Sequence, residues 1–286
     1  MKSKSLQPVI IIGMHRSGTT MITSLLEKLG LFLGKEVEIN HEARFFLSLN
    51  RWLLRQSAAT WDHPEGIVDL LNNAEIRTLA VNYLGAMLGK PCVINYLGWQ
   101  KFIRYGGAAN LDVPWGWKDP RNTYTLPVWL DLFPRAKVIH VYRNGVDVAN
   151  SLQVRGVNDL RQSKERYNRK KLFYWLRPKK GGFTSSISCL DLRNGFTLWE
   201  RYFRESQRHV KALGDRAIEI KYEDFLRSPG DNLVKLCGFS GLRADEQLIK
   251  TLCREVNCDR AYAFRKDKEL QGFHSTVEDR LRALGY

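Results

Sequence analysis

VIIIGMHRSGTT, residues 9–20, decides the fold. The apolar run Val9–Ile12 reads as a buried strand. Ile22, Leu25, Leu26 and Leu29 follow at helical spacing, with a stop at Gly30. Between strand and helix lies a glycine-bounded loop. That order is the layout of a phosphate cradle: backbone N–H groups converge on an anion, and the helix N-terminus adds a partial positive charge. Gly13 and Gly18 have the spacing of the Walker A loop, G-x-x-x-x-G-K-[ST], but Thr19 stands in the lysine's place and Thr20 follows. The loop is expected to bind phosphate without the residue that nucleoside-triphosphate hydrolases use at the β/γ-phosphates.

Three more strand signals extend the pattern: Trp115–Lys118, ended by Asp119-Pro120; Lys137–Tyr142, a strong buried run; and Ala217–Lys221. Helical patterns lie between them. One spans about 40–56, with Asn40 as cap and Phe46, Leu47, Leu53 and Leu54 on one face. Residues 60–110 read as interrupted helix, and Thr123–Leu132 as another helix. Asn144 caps a further helix, with Asp147 at the capping-box position and an end near Gly156. A last long helix covers Asn194–Leu213. Strands alternating with helices predict a three-layer, P-loop-like α/β fold, with a central parallel sheet and helices on both faces. A single domain over 1–286 is expected, with 157–190 as a basic, mobile loop or lid that includes helical turns. Ligands of such sheets sit at the carboxyl ends of the strands. That rule places the Gly13–Thr20 loop, Lys118, Arg143 and Tyr222 along one crevice.

Composition agrees with an anionic ligand. The 286 residues carry 45 Lys and Arg against 30 Asp and Glu, a formal charge of +15. Nucleotide, polyanionic glycan, nucleic acid and membrane surface all fit that sign. The five cysteines are scattered, with no C-x-x-C pair, so neither zinc nor a disulfide framework is expected. No apolar run reaches the roughly 18 residues of a membrane span, and no secretory signal follows Lys2 and Lys4. With Met1 as the natural start, a cytoplasmic location is expected.

Over Pro8–Thr20, Trp117–Leu152 and Ile218–Gly230 the chain resembles the sulfotransferases that use 3′-phosphoadenosine 5′-phosphosulfate (PAPS), in their bacterial and glycan-directed forms. HRSGTT is similar to the loop that holds the 5′-phosphosulfate. The resemblance puts Arg16 at the family's lysine, where it would stabilise charge on sulfate and leaving phosphate. Ser17, Gly18, Thr19 and Thr20 would supply N–H and hydroxyl donors. VYRNGVDVANSL, residues 141–152, resembles the 3′-phosphate motif, with Arg143 and Ser151 eight apart. Arg143 ends a buried strand, where a guanidinium clamps phosphate bidentately. Ser151 without Arg143 would read as an ordinary helix serine. IKYEDFLRSPG, residues 220–230, resembles a segment whose tyrosine neighbours adenine. Tyr222 fits that role or simply packs at a strand end. Met21 stands where many cytosolic relatives have a stacking tryptophan.

WGWKDPR, residues 115–121, is similar to the strand whose lysine approaches the transferred sulfuryl group, which gives Lys118 that role. Pro120 stands where small-molecule relatives carry their basic histidine. Glycan-directed relatives use the glutamate of K-E-x-x-F-F, and this chain has His41-Glu42-Ala43-Arg44-Phe45-Phe46. Glu42 is therefore the candidate general base. The other reading of Glu42 is a first-turn glutamate complementing a helix dipole. His41 is a second candidate base, and His140, in a buried strand, reads as structural. The resemblance implies PAPS as donor (leaving 3′,5′-bisphosphate), no metal, and a hydroxylated acceptor, with carbohydrate or glycolipid favoured. No nucleic acid is implied, and peripheral membrane contact is open. Two other readings are a P-loop kinase or NTPase, and a non-catalytic polyanion binder using the Lys/Arg-rich 164–180 segment.

Overall fold

The structure is a computed structural model that describes residues 5–243 and 245–286. Its sheet has four parallel strands, β1 (Val9–Ile12), β2 (Gly116–Lys118), β3 (Lys137–Tyr142) and β4 (Ala217–Lys221), in the order β2-β1-β3-β4. Ile10 lies opposite both Trp117 and Val138, and Ile11 opposite Lys118 and Ile139. Side chains alternate across a strand, so this register lines up Trp117, Ile10, Val138 and Ala217 on one face, and Ile11, Ile139 and Ile218 on the other with Lys118 at the row's edge. The chain leaves β1 toward β2 on one side, and later leaves β3 toward β4 on the other. That reversal makes a topological switch point between β1 and β3, above their carboxyl ends.

Helices cover both faces. On one face α1 (Thr19–Lys28), α10 (Tyr222–Arg227), α11 (Pro229–Ser240) and α12 (Glu246–Arg254) bury Ile22, Leu26, Phe225, Leu233 and Leu252 against Val9, Ile11, Ile139 and Val141. On the other, α2 (Arg44–Arg55), α3 (Ile67–Asn72), α4 (Ala74–Gly89), α5 (Ile94–Tyr105) and α6 (Asn122–Leu132) pack on Ile10, Ile12, Trp117 and Val138. The second face is aromatic. Phe46 of α2 stacks flat on Trp117 of β2, with ring centroids 4.0 Å apart, and meets Trp129 of α6 and Tyr96 of α5 edge-on. Such pairs add about 1 kcal/mol each beyond their buried area and fix orientation. The stack sets the start of α2 beside the end of β2.

Contacts group the described chain into two units: 1–143 with 202–261, and 144–201 with 262–286. The sheet and the helices just named belong to the first. The second holds α7 (Gly145–Arg169), α8 (Lys171–Leu176), the first part of the shared α9 (Leu192–Leu213) as far as Arg201, and α13 (Lys268–Arg282). Within it, Asp147 accepts hydrogen bonds from the N–H groups of Ala263 and Phe264 at 3.1 and 2.8 Å. Gly145 lies so close to Trp199 that a Cβ would stand 2.4 Å from its ring. Arg280 pairs with Glu200 and lies over Phe196, 4.8 Å from the ring centroid.

Two expectations need correction. The helix expected from Asn40 begins at Arg44. Residues 36–43 instead form a small hairpin, with Val37 bridging Ala43 and His41 in the left-handed region at φ 55°. The 157–190 segment, expected as a loop with helical turns, is continuous helix as far as Arg169 and helical again over Lys171–Leu176. Gly156 does not stop α7, because Leu190 packs 3.1 Å from where its Cβ would be, and Arg, Gln, Lys and Glu beyond it are good helix formers. Among the described residues no helix is long and apolar enough to cross a membrane.

Candidate active site

The Gly13–Thr20 loop is shaped by its glycines. Gly13 (φ +131°) lets the carbonyl oxygen of Val141 come within 2.1 Å of where a Cβ would sit, so β3 closes on the loop. Gly18 (φ +88°) is the N-cap of α1, and the ring of Tyr222 occupies the space its Cβ would need, at 2.2 Å. Arg16, between them, is a third positive-φ residue, at φ 71°, and is exposed. No side chain caps α1, and its first N–H groups have no intrahelical acceptor. Ser17 is fully buried, and its Oγ has no hydrogen-bond partner among the described residues. Orphaned polar atoms of this kind, on a loop that tolerates no side chain at 13 or 18, fit a bound oxyanion. Two expected donors are otherwise engaged: the Ser17 N–H on the carbonyl of Met14 at 3.2 Å, and the Thr20 hydroxyl on the carbonyl of Asn40 at 3.2 Å.

Tyr222 begins α10 just after β4 and is buried. Besides filling the hollow at Gly18, it carries the guanidinium of Arg143, 5.0 Å from its ring centroid. Arg143 Nη2 also donates to the carbonyl of Arg260 at 3.0 Å. The residue expected beside adenine is thus a wall between the loop and Arg143. Ser151 lies half-buried on α7, in the second unit.

The other half of the site is an ion-pair cluster. Lys118, the last residue of β2, donates to Glu42 Oε1 at 3.0 Å. Both are buried, with 2% and 5% of their surface exposed. Residues 76 apart in sequence meet because Phe46 stacks on Trp117 and the hairpin 36–43 carries Glu42 back over the strand end. That hairpin is tied to α1 by the Thr20–Asn40 bond and by His41 Nδ1, 3.1 Å from Glu27 Oε2. His41 therefore engages α1. Glu42 precedes the N-cap Ala43, so it is not a first-turn glutamate of α2.

Arg121 completes the cluster and was not singled out from the sequence. It lies 3.0 Å from Asp119 and 3.8 Å from Glu42. Asp119 is held in turn by Asn50 of α2, whose Nδ2 donates to Asp119 Oδ2 at 2.9 Å and to Asn122 Oδ1 at 2.8 Å. Asn50 Oδ1 accepts from Thr125 and from the indole of Trp129, each at 2.8 Å. Asn122 accepts from Trp117 and donates to the Ile11 carbonyl. Every polar atom of Asn50 is satisfied, and such networks rigidify what they hold. The only hint in the sequence is the i, i+3 spacing of Lys118 and Arg121 around Asp-Pro.

Burial raises the pKa of Glu42 above the ordinary 4.5, and Asp119 adds to the rise, while Lys118 and Arg121 oppose it. Burial lowers the pKa of Lys118, and the contact with Glu42 opposes that shift. Burial thus favours the neutral form of each group, and a raised carboxylate pKa suits a group that accepts a proton. His140 is buried, bonded to Glu219 at 2.9 Å, and its pKa is lowered by burial.

The family model described as "Sulfotransferase family" matches residues 8–246. A search of curated proteins found no match. Among solved structures, the chain is similar to the sulfotransferase domain from the curacin biosynthetic pathway, at 15% identity, covering 96% of this chain and 99% of that one, TM-score 0.50. It is also similar to sulfotransferase STF9 from Mycobacterium avium, at 14% identity over 97% and 77% of the two chains, TM-score 0.43. The first likeness supports the same P-loop-like α/β fold. With the family model spanning most of its length, the chain belongs to the sulfotransferase family.

Proposed function

We propose that this sulfotransferase moves a sulfuryl group from PAPS to an acceptor hydroxyl, on a carbohydrate or glycolipid, by in-line displacement. The observation that carries the reading is the 3.0 Å contact between Glu42 and Lys118, which sets a carboxylate base and a cation together at the strand end next to the phosphate loop. Glu42 takes the proton of the hydroxyl as its oxygen attacks. Lys118 then gives up its contact with Glu42 and, with Arg16, neutralises charge on the sulfuryl oxygens. Arg121 keeps its contacts with Asp119 and Glu42 and holds the carboxylate in place. The N–H groups of Gly18, Thr19 and Thr20 and the Ser17 hydroxyl would hold the 5′-phosphate, and Arg143 the 3′-phosphate. The donor, when bound, supplies the sulfuryl group and a stable bisphosphate leaving group.

A carboxylate base in a K-E-x-x-F-F-like segment supports a sugar hydroxyl over a phenol. A kinase reading has no lysine at position 19. The test is thermal shift with adenosine 3′,5′-bisphosphate against ATP with Mg²⁺, followed by an acceptor screen for a mass gain of about 80 Da. Ligand binding raises the melting temperature by mass action, so stabilisation by the bisphosphate alone is the expected result. Stabilisation by ATP–Mg²⁺ alone would overturn the proposal.

A further inference from the structure

The second unit carries a surface that the transfer reaction does not use. In the stretch 161–180 the chain places nine Lys and Arg and a single acid, Glu165. In the middle of that charge stands α8, KLFYWL, which buries none of its residues. Leu172 is 88% exposed, Phe173 53%, Trp175 87% and Leu176 72%. Leu172, Trp175 and Leu176 are spaced i, i+3 and i+4, so they share one helix face.

This exposure is built into the local fold. The inner side of α8 is already occupied: Tyr174 stacks on Tyr167 of α7 with centroids 5.8 Å apart and planes 11° from parallel. Phe183 meets Tyr167 edge-on at 5.8 Å, and Lys179 lies 4.6 Å over the Phe183 ring while donating to the carbonyls of Gly181 and Gly182. Three aromatic rings thus hold α8 at the end of α7. The large apolar side chains left over face outward, ringed by exposed Arg166, Arg169, Lys170, Lys171, Arg177 and Lys180.

We propose that α8 and its flanks are a docking surface for an anionic lipid bilayer. The charge pattern selects that occupant. A protein groove would cover Trp175 and Leu176 but would not require cations on every side. A nucleic acid would use the cations and could stack a base on the indole, but it has no place for the exposed Leu172 and Leu176. A bilayer surface uses both. Lysine and arginine side chains sit among acidic headgroups, each contributing about 1 kcal/mol, roughly a fivefold gain in partitioning. Leucine and phenylalanine enter the acyl boundary, and tryptophan rests at headgroup depth. The segment lies on the surface and does not span. This inference stands apart from the identity of donor and acceptor.

The experiment is cosedimentation of the full chain with vesicles of phosphatidylcholine alone, and of phosphatidylcholine with about one-third phosphatidylserine. Binding to the acidic vesicles, lost in 0.5 M NaCl (roughly a 4 Å Debye length), is expected, with little binding to the neutral ones. W175A/L176A should lower partitioning about tenfold or more through lost apolar burial, and K170Q/K171Q/R177Q about a hundredfold at roughly fivefold per charge. Both variants change exposed residues only, and unchanged melting curves would confirm that they fold. Binding that survives W175A/L176A would mean simple polyanion attraction and overturn the proposal. So would equal binding to neutral vesicles, no binding at all, or a dimer in light scattering that this variant dissolves.

Discussion

Consider removing the Glu42–Lys118 pair one member at a time. E42Q leaves a buried ammonium facing Asp119, and K118M leaves a buried carboxylate facing Asp119 with only Arg121 to balance it, 3.8 Å away. Breaking a buried pair on one side costs about 3–5 kcal/mol. The residual partners bring each single variant somewhat below that range, to about 2.5 kcal/mol. E42Q/K118M removes both desolvation penalties, so we expect a loss of about 2 kcal/mol against the roughly 5 kcal/mol of simple addition, a coupling of about 3 kcal/mol. Urea unfolding at 25 °C measures all four corners. In thermal melts each single should fall by roughly 5–10 °C, on the scale of a unit of about 200 residues. Additivity within about 0.5 kcal/mol would refute the claim that the pair is a dry, mutually dependent contact.

Four further outcomes follow from the same geometry. E42Q should lower kcat/KM by about 10²–10⁴-fold; since the base acts deprotonated and burial raises its pKa, wild-type activity should climb with pH through a value above 4.5, and the variant should lose that limb, as pH–rate profiles would record. N50A should cost about 3 kcal/mol by orphaning the indole of Trp129 and taking a donor from the buried Asp119 carboxylate, while the hydroxyl of Thr125 keeps the Arg121 carbonyl; melting and steady-state kinetics measure the effect. G18A should cost at least about 2 kcal/mol and abolish the bisphosphate thermal shift, because its Cβ meets Tyr222 and its φ is +88°; Y222A in the same chain should recover part of the stability. Burial lowers the His140 pKa below 6.5, so the unfolded chain binds the proton more readily and stability present above pH 6.5 is lost as pH falls; H140F should flatten the fall in Tm between pH 7.5 and 5.5.

What the sequence revealed depended on how local each signal is. Val9–Ile12 is a continuous apolar run and Lys137–Tyr142 a largely apolar one interrupted by His140, bounded by Gly13 and Arg143, and such runs mark strands buried on both faces. The loop between Gly13 and Gly18 was legible because its backbone needs glycine. The pairing of Glu42 with Lys118 leaves no mark in periodicity. Both residues came forward through motif resemblance, and only the Phe46–Trp117 stack explains why they touch. Asn50 sits between Leu49 and Arg51 on an amphipathic helix and reads as a routine polar position; its four bonds exist only once α2, β2 and α6 converge. Charge density beyond Gly156 suggested a loop, whereas alternating Arg, Lys and Glu equally favour a solvated helix.

Tyr222 against Gly18 has a consequence for how the protein is made. The glycine leaves the ribosome about 200 residues before the tyrosine, and at about 5–20 residues per second that interval is roughly 10–40 s. Throughout it, β1 and α1 have their own residues to fold with, yet the hollow at Gly18 has no ring to fill it and the guanidinium of Arg143 has no aromatic surface to lie on. The nascent enzyme carries its phosphate loop early and acquires the shape of that loop late. The packing of Tyr222 on Gly18 therefore forms only after the fourth strand has been made.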